Sequence, residues 1–177
     1  QRPTLPLEDT VADIAEAGPA MLQQFNLTQY EVSAYAQAGH HCQHNRNYWE
    51  YGDYLGLGAG AHGKLTTQSG GILRTQRTRV PQHYLAHQAE QRRRITHVAA
   101  EDRLFEYSLN RLRLFETVSI ETMSQATGTP LHTLQPILAQ AKQNGWLSPA
   151  SHSLADYHIT PLGRAFLNDL TSLFLPE

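Results

Sequence analysis

The amino-acid sequence predicts an α/β chain, of α+β type when taken as part of something longer, whose short strands give way to helices and a winged-helix-like end. Three observations predict it. Aromatic and β-branched residues alternate between glycine turns over residues 28–80. Apolar residues recur at helical spacing from Pro81 onward. Residues 119–175 then read helix, tight turn, helix, wing, helix. The change at Pro81 divides the chain into two units, 1–80 and 81–177.

An extended lead-in covers residues 1–6. Glu8 and Asp9 then suit a helix N-terminus, and Val11, Ile14, Ala15, Met21, Leu22 and Phe25 share one face of that helix. Gly18-Pro19 is expected to kink or split it. Residues 28–35 alternate as one strand, and a polar stretch, 37–47, is too rich in His, Asn and Gln for a regular core element. Residues 54–57 read as a short strand running into a glycine-rich turn. Residues 62–68 and 72–80 flank Ser69-Gly70-Gly71 as a hairpin. Helices follow at 82–94 and at 100–114, the second with Leu104, Phe105, Leu109, Leu112 and Phe115 as its buried stripe. A helix at 119–127 stops at Gly128. The next starts near Pro130, carries Leu131, Leu134, Ile137, Leu138 and Ala141, and ends at Asn144-Gly145. Trp146-Leu147 and residues 154–159 pair as a two-stranded wing. Thr160 then caps a last helix with Pro161 in its first turn and Leu162, Phe166, Leu170 and Phe174 along it.

With 177 residues, 40% apolar and 17% charged, the chain can bury a core and is no disordered tail. A net charge of −2 gives no bulk attraction to nucleic acid or acidic membrane. No apolar run approaches the roughly 18 residues of a membrane span, and no signal peptide opens the chain. The single cysteine, Cys42, excludes an internal disulfide framework and suits a reducing compartment, the cytoplasm. It also excludes a metal cluster that needs three or four thiolates from this chain. The first residue is Gln1, so the chain is expected to be a piece of something longer. Charge is uneven. Residues 1–73 carry −4, residues 74–113 carry +5 with nine arginines, and the remainder carries −3.

The densest chemistry is His40-His41-Cys42-Gln43-His44-Asn45-Arg46-Asn47-Tyr48-Trp49. Three imidazoles and a thiol are potential zinc or iron ligands, but no second ligand pair lies nearby, so a zinc finger is excluded. A solvated polar loop competes with an axial-ligand role toward haem, which needs only one or two protein ligands and an aromatic wall. His44, or alternatively Cys42, would be that ligand, with Tyr48 and Trp49 stacking on the macrocycle. Gly58-Ala59-Gly60-Ala61-His62-Gly63 satisfies G-x-G-x-x-G but lacks the following helix and the acid near residue 83 that dinucleotide binding requires. A sharp turn or close ligand approach is what its glycines still permit. Within the winged-helix segment, residues 130–144 offer only Lys142 as a basic contact, so docking is favoured over DNA binding. Arg92-Arg93-Arg94 reads as a solvated helix end or as a contact for propionates or phosphates.

The ordered set Tyr30-Glu31-Val32-Ser33-Ala34-Tyr35-Ala36, Gly39, Cys42-x-His44-Asn45-x-x-Tyr48-Trp49 and Asp53-Tyr54-Leu55-Gly56-Leu57-Gly58-x-Gly60-Ala61-His62 resembles the C-terminal portion of the HemW family. HemW is the haem-chaperone branch of the radical SAM, oxygen-independent coproporphyrinogen III oxidase (HemN-like) proteins. The resemblance continues through Glu101-Asp102-Arg103-Leu104-Phe105-Glu106-Tyr107, Arg111-x-Arg113-Leu114 and Thr160-Pro161-x-Gly163-x-x-Phe166-Leu167-Asn168.

This resemblance implies the last strands and helices of a radical SAM partial TIM-type barrel in residues 1–80, followed by a helical, winged-helix-like domain of HemN type in 81–177. In the intact protein it implies a [4Fe–4S] cluster on a C-x-x-x-C-x-x-C motif, S-adenosylmethionine and haem. This chain lacks that motif and is expected to be inactive alone, without its N-terminal radical SAM half. The resemblance assigns haem binding to His44, Asn45, Tyr48, Trp49 and Cys42, with His44 the candidate iron ligand. It places Gly58, Gly60 and His62 at the lining of a cofactor cavity. It favours haem binding and delivery over oxidative decarboxylation of coproporphyrinogen. The implied partners are haem or porphyrin, haem-accepting proteins and a second copy of the chain, whose strand edges lack partners; nucleic acid is not expected.

Overall fold

The computed structural model describes residues 4–86, 93–150 and 153–176. A helix, α1 (Glu8–Gln23), opens it with Glu8 and Asp9 in the first turn and continues through Pro19 as one element, so it does not split in two there. None of its residues is buried, and Val11, Ile14 and Met21 face outward together with the nearby Phe25.

Residues 28–35 do not form one strand. They fold into an antiparallel hairpin, β1 (Thr28–Glu31) and β2 (Ala34–Ala36), whose ladder slips between Gln29 and Glu31. The cause is Glu31: its carboxylate is buried, accepts the Ser33 backbone N–H at 3.0 Å and pairs with Arg113 at 2.5 Å, so the chain reverses around it. The polar stretch also departs from expectation, because Gln43–Trp49 forms a short helix, α2. Residues 54–57 make a single bridge, Tyr54 to Lys64, instead of a strand.

The hairpin β3 (His62–Thr66) and β4 (Ile72–Arg77) forms as expected, turning through Gly70 at φ 79°. Of the helix expected over 82–94, the described residues show α3 (Pro81–Ala86), and residues 93 and 94 are not helical. Those two residues belong instead to β5 (Arg93–His97), an antiparallel partner of β4, while 87–92, Arg92 included, lie outside the described residues. Five ladder pairs along β4 outweigh any local helical preference of Arg-Arg-Ile-Thr-His.

The helical part then follows. α4 (Ala100–Arg111) buries Leu104, Tyr107 and Ser108, with Leu112 just beyond, whereas Leu109 is exposed and Phe105 and Phe115 are half-buried. β6 (Val118–Ser119) leads into α5 (Ile120–Thr127), where the Ser119 hydroxyl accepts from Thr122 N and Gly128 closes the C-terminus at φ 74°. α6 (Leu131–Gln143) buries Leu134, Leu138 and Ala141. The wing, β7 (Leu147–Ala150) and β8 (Ser153–Ile159), gains β6 as a third strand in the order β6-β8-β7. The expected last helix breaks at Phe166 into α7 (Pro161–Ala165), capped by the Thr160 hydroxyl, and α8 (Leu167–Ser172). Gly163 is required there, since a Cβ would sit 2.2 Å from the Trp146 carbonyl oxygen. One main core joins Leu104, Tyr107, Leu134, Leu170 and Phe174 to Tyr51 and Ile72, and a small one holds Tyr30, Ala36 and Leu114.

Candidate haem-binding site

α2 has only seven residues and no side-chain cap, so its neighbours must hold it. Three contacts do so. His41 stacks on Tyr30 with ring centres 4.2 Å apart and planes 10° apart, and the Tyr30 hydroxyl accepts the Cys42 backbone N–H at 3.2 Å. Arg46 pairs with Glu116 and with Glu50. Trp49 packs on the Tyr30–Ala36–Leu114 cluster and carries the Arg113 guanidinium 4.5 Å from its ring centre. The Arg46 hydrogen bond holds the Glu116 carboxyl below its ordinary range.

This anchoring leaves one face of α2 open. His44 and Tyr48, one turn apart, lie on it with the Tyr48 hydroxyl 3.1 Å from His44 Nε2 and the rings edge-on at 4.8 Å. Tyr48 meets Tyr54 edge-on at 4.5 Å, and Arg74 donates to the Tyr54 hydroxyl at 3.2 Å. His44 and Asn45 are exposed, and Cys42, the residue before the helix, is an exposed free thiol.

The structure therefore joins His44 to Tyr48 and places Trp49 apart from them, one of its faces taken by Arg113. Gly58 and Gly60 adopt positive φ, 96° and 73°, and His62 starts β3, exposed and opposite Gln76. Tyr54 is what ties α2 to this second stretch. The sequence did not single out Tyr54, Arg46, Glu116 or Arg113 for the site; the four-residue spacing of Arg46 and Glu50 was the one local signal of a helix there.

Below the site, Lys64 is almost fully buried. Its ammonium donates to the Tyr51 carbonyl at 2.8 Å and to Asp53 at 2.9 Å, and lies 4.2 Å from the Tyr51 ring centre. Burial alone would raise the Asp53 carboxyl, but hydrogen bonds from Lys64 and Thr66 outweigh it and hold the group below its ordinary range. Burial and the neighbouring Glu106 push the Tyr51 hydroxyl far up, and that hydroxyl donates to Glu106 at 3.0 Å.

No cluster of three or more His, Cys, Asp or Glu residues suited to a metal ion occurs among the described residues. A [4Fe–4S] cluster held by three thiolates does not fit a chain whose one cysteine is the exposed Cys42. No helix among the described residues is long and apolar enough to cross a membrane.

No family model matches the chain. Its fold is similar to part of coproporphyrinogen III oxidase (HemN) from Escherichia coli, a radical SAM enzyme: the TM-score is 0.67 at 15% identity, covering 96% of this chain and 42% of that one. Among curated proteins, the heme chaperone HemW of Escherichia coli is 43% identical over 99% of this chain and 45% of its own length. That of Haemophilus influenzae is 41% identical over 99% of this chain and 44% of its own. The chain spans a little under half the length of these relatives. The likeness to HemN is one of fold. In sequence the chain is similar to the HemW proteins along almost its entire length.

Proposed function

We propose that this chain is the haem-handling C-terminal portion of a HemW-type protein, with residues 1–80 closing the radical SAM barrel and 81–177 forming the appended domain. The observation that carries the proposal is the open His44–Tyr48 face of α2, within a chain matched over 99% of its length by proteins named heme chaperones. His44 supplies the ligating imidazole. Coordination through Nε2 requires the Tyr48 hydroxyl to turn away, whereas Nδ1 needs no such movement. Tyr48 and Tyr54 offer the aromatic wall. Trp49 serves by seating the helix against Arg113, and Asn45 and Cys42 flank the ligand. Gly58, Gly60 and His62 line the adjoining edge. The [4Fe–4S] cluster and S-adenosylmethionine belong to the part of the longer protein that carries three thiolates. Haem-accepting proteins in the cytoplasm are the partners this role needs. The decarboxylase alternative has a likeness of fold alone behind it, at 15% identity.

Titrating the protein with haem tests the proposal. His44→Ala is expected to weaken binding at least ten-fold and to shift the Soret band, while Cys42→Ser leaves both unchanged. An unaltered band and affinity in His44→Ala would remove the assignment, and a response to Cys42→Ser alone would move ligation to the thiol.

A further inference from the structure

Arg74 lies in β4, two residues from the fully buried Ile72 and therefore on the same face of the sheet. Its cross-strand neighbour is Lys64. Two cations side by side repel one another, and the structure gives each its own acid: Asp53 at 2.9 Å for Lys64, Glu106 at 2.6 Å for Arg74. Glu106 belongs to α4, in the helical part of the chain. The hydroxyl of the buried Tyr51 donates to the same Glu106 oxygen, Oε2, at 3.0 Å.

Arg74 is held at two points. Its Nη2 donates to Glu106, and its Nη1 donates to the Tyr54 hydroxyl at 3.2 Å. A guanidinium is planar and rigid, so fixing one terminal nitrogen aims the other. The Tyr54 backbone is already fixed by its bridge to Lys64, with N–H to carbonyl bonds of 2.9 and 3.0 Å. What the bridge leaves free is rotation of the side chain, and Arg74 removes that freedom by gripping its far end. The ring so placed meets Tyr48 edge-on at 4.5 Å, and Tyr48 meets His44 edge-on at 4.8 Å.

The side chains of Arg74 and Glu106 are 31% and 29% exposed. An ion pair this open to water adds little to stability, whereas edge-on ring contacts depend on where each ring stands. We propose that Glu106 and Arg74 are positioning residues of the haem site: α4 sets the Tyr54 ring through the Arg74 fork, and thereby the Tyr48–His44 pair. The inference rests on the haem-handling reading above and makes that site depend on the helical part of the chain.

The test combines haem titration with the imidazole proton signals of His44 in the haem-free protein, identified by their loss in His44→Ala. Tyr54→Phe keeps the ring and removes the hydroxyl. Glu106→Gln keeps the size and removes the charge. Arg74→Lys keeps the charge and loses the two-point fork. Each is expected to weaken haem binding about two- to ten-fold, the effect of one hydrogen bond, and to shift the His44 signals. Arg74→Lys should keep the thermal midpoint, since its ammonium still meets Glu106. Tyr54→Phe/Glu106→Gln should bind haem no more weakly than the weaker of its two single variants, because both changes break one chain of contacts. Losses that multiply in the double variant overturn the positioning role. So does parent-like haem binding in Arg74→Lys, or a lower thermal midpoint in Glu106→Gln with affinity and His44 signals unmoved. If His44→Ala leaves haem binding intact while Glu106→Gln and Arg74→Lys still shift the His44 signals, ligation by His44 fails and the positioning of the pair stands. If His44→Ala abolishes binding and neither variant moves the signals, ligation stands and the positioning role falls.

Discussion

α1 and α6 have much the same amphipathic pattern and opposite fates. α6 buries Leu134, Leu138 and Ala141 against the wing and the last helices, whereas α1 buries nothing and leaves Ile14 and Met21 more than 60% exposed. The contrast extends to the regions that contain them. Of the main core, only Tyr51 and Ile72 come from before Val98. The first region relies instead on polar links: Lys64 to Asp53 within it, and Glu31 to Arg113 and Arg74 to Glu106 tying it to the helical part. Apolar periodicity states that a helix has a face to cover; it does not state that the cover lies in the same chain.

The largest way to sharpen this comparison is a matched pair of truncations. Leu134→Ala, at a fully buried position, is expected to cost about 2–5 kcal/mol of unfolding free energy, measured by urea titration. Ile14→Ser in α1 should stay within about 0.5 kcal/mol of the parent. A comparable loss at both sites would break the contrast. Next comes Asp53→Ala, which leaves the buried Lys64 ammonium without its counter-ion and should cost about 1–3 kcal/mol at neutral pH. Its failure to destabilise would show the polar links of the first region to be incidental.

Smaller again is an acid-range effect at Glu116. Its carboxyl is held below the ordinary glutamate value by Arg46, so the pair's contribution is complete above about pH 4.3 and is lost as pH falls through the depressed value. Glu116→Gln should therefore flatten the decline of the urea midpoint between about pH 5 and 3, and a parallel decline would remove Arg46–Glu116 as an anchor. The smallest effect is Tyr48→Phe, which frees His44 Nε2 and should raise haem affinity by a few-fold, in line with a hydrogen bond worth about 0.5–1.5 kcal/mol. Weaker binding would show that the hydroxyl contacts the ligand itself.

What was legible in the sequence follows from how local each signal is. Gly128, Gly145, Thr160 and Pro161 punctuate the helices by their own backbone chemistry, and the helix ends they mark fell where they were expected, although the last helix breaks at Phe166. The Ser69-Gly70-Gly71 turn did the same for β3 and β4. The errors lie where a distant partner decides. Residues 28–35 became a hairpin because Arg113, remote in sequence, neutralises Glu31. β5 exists because β4 offers it a ladder, and β6 turned a two-stranded wing into three strands. In the candidate site, His44, Tyr48 and Trp49 were readable as chemistry. Their separation into an open pair and an anchored indole was not, since α2 lacks an apolar stripe and its fixing points are Tyr30, Arg113 and Glu116.

Those fixing points make the decapeptide around His44 a poor cassette. A seven-residue helix without a cap does not persist alone in water, so a peptide copied from residues 40–49 would carry the right side chains and lose the spacing between imidazole and phenol. The motif cannot be transplanted without its scaffold, and the scaffold includes residues more than 60 positions further along the chain, at Arg113 and Glu116.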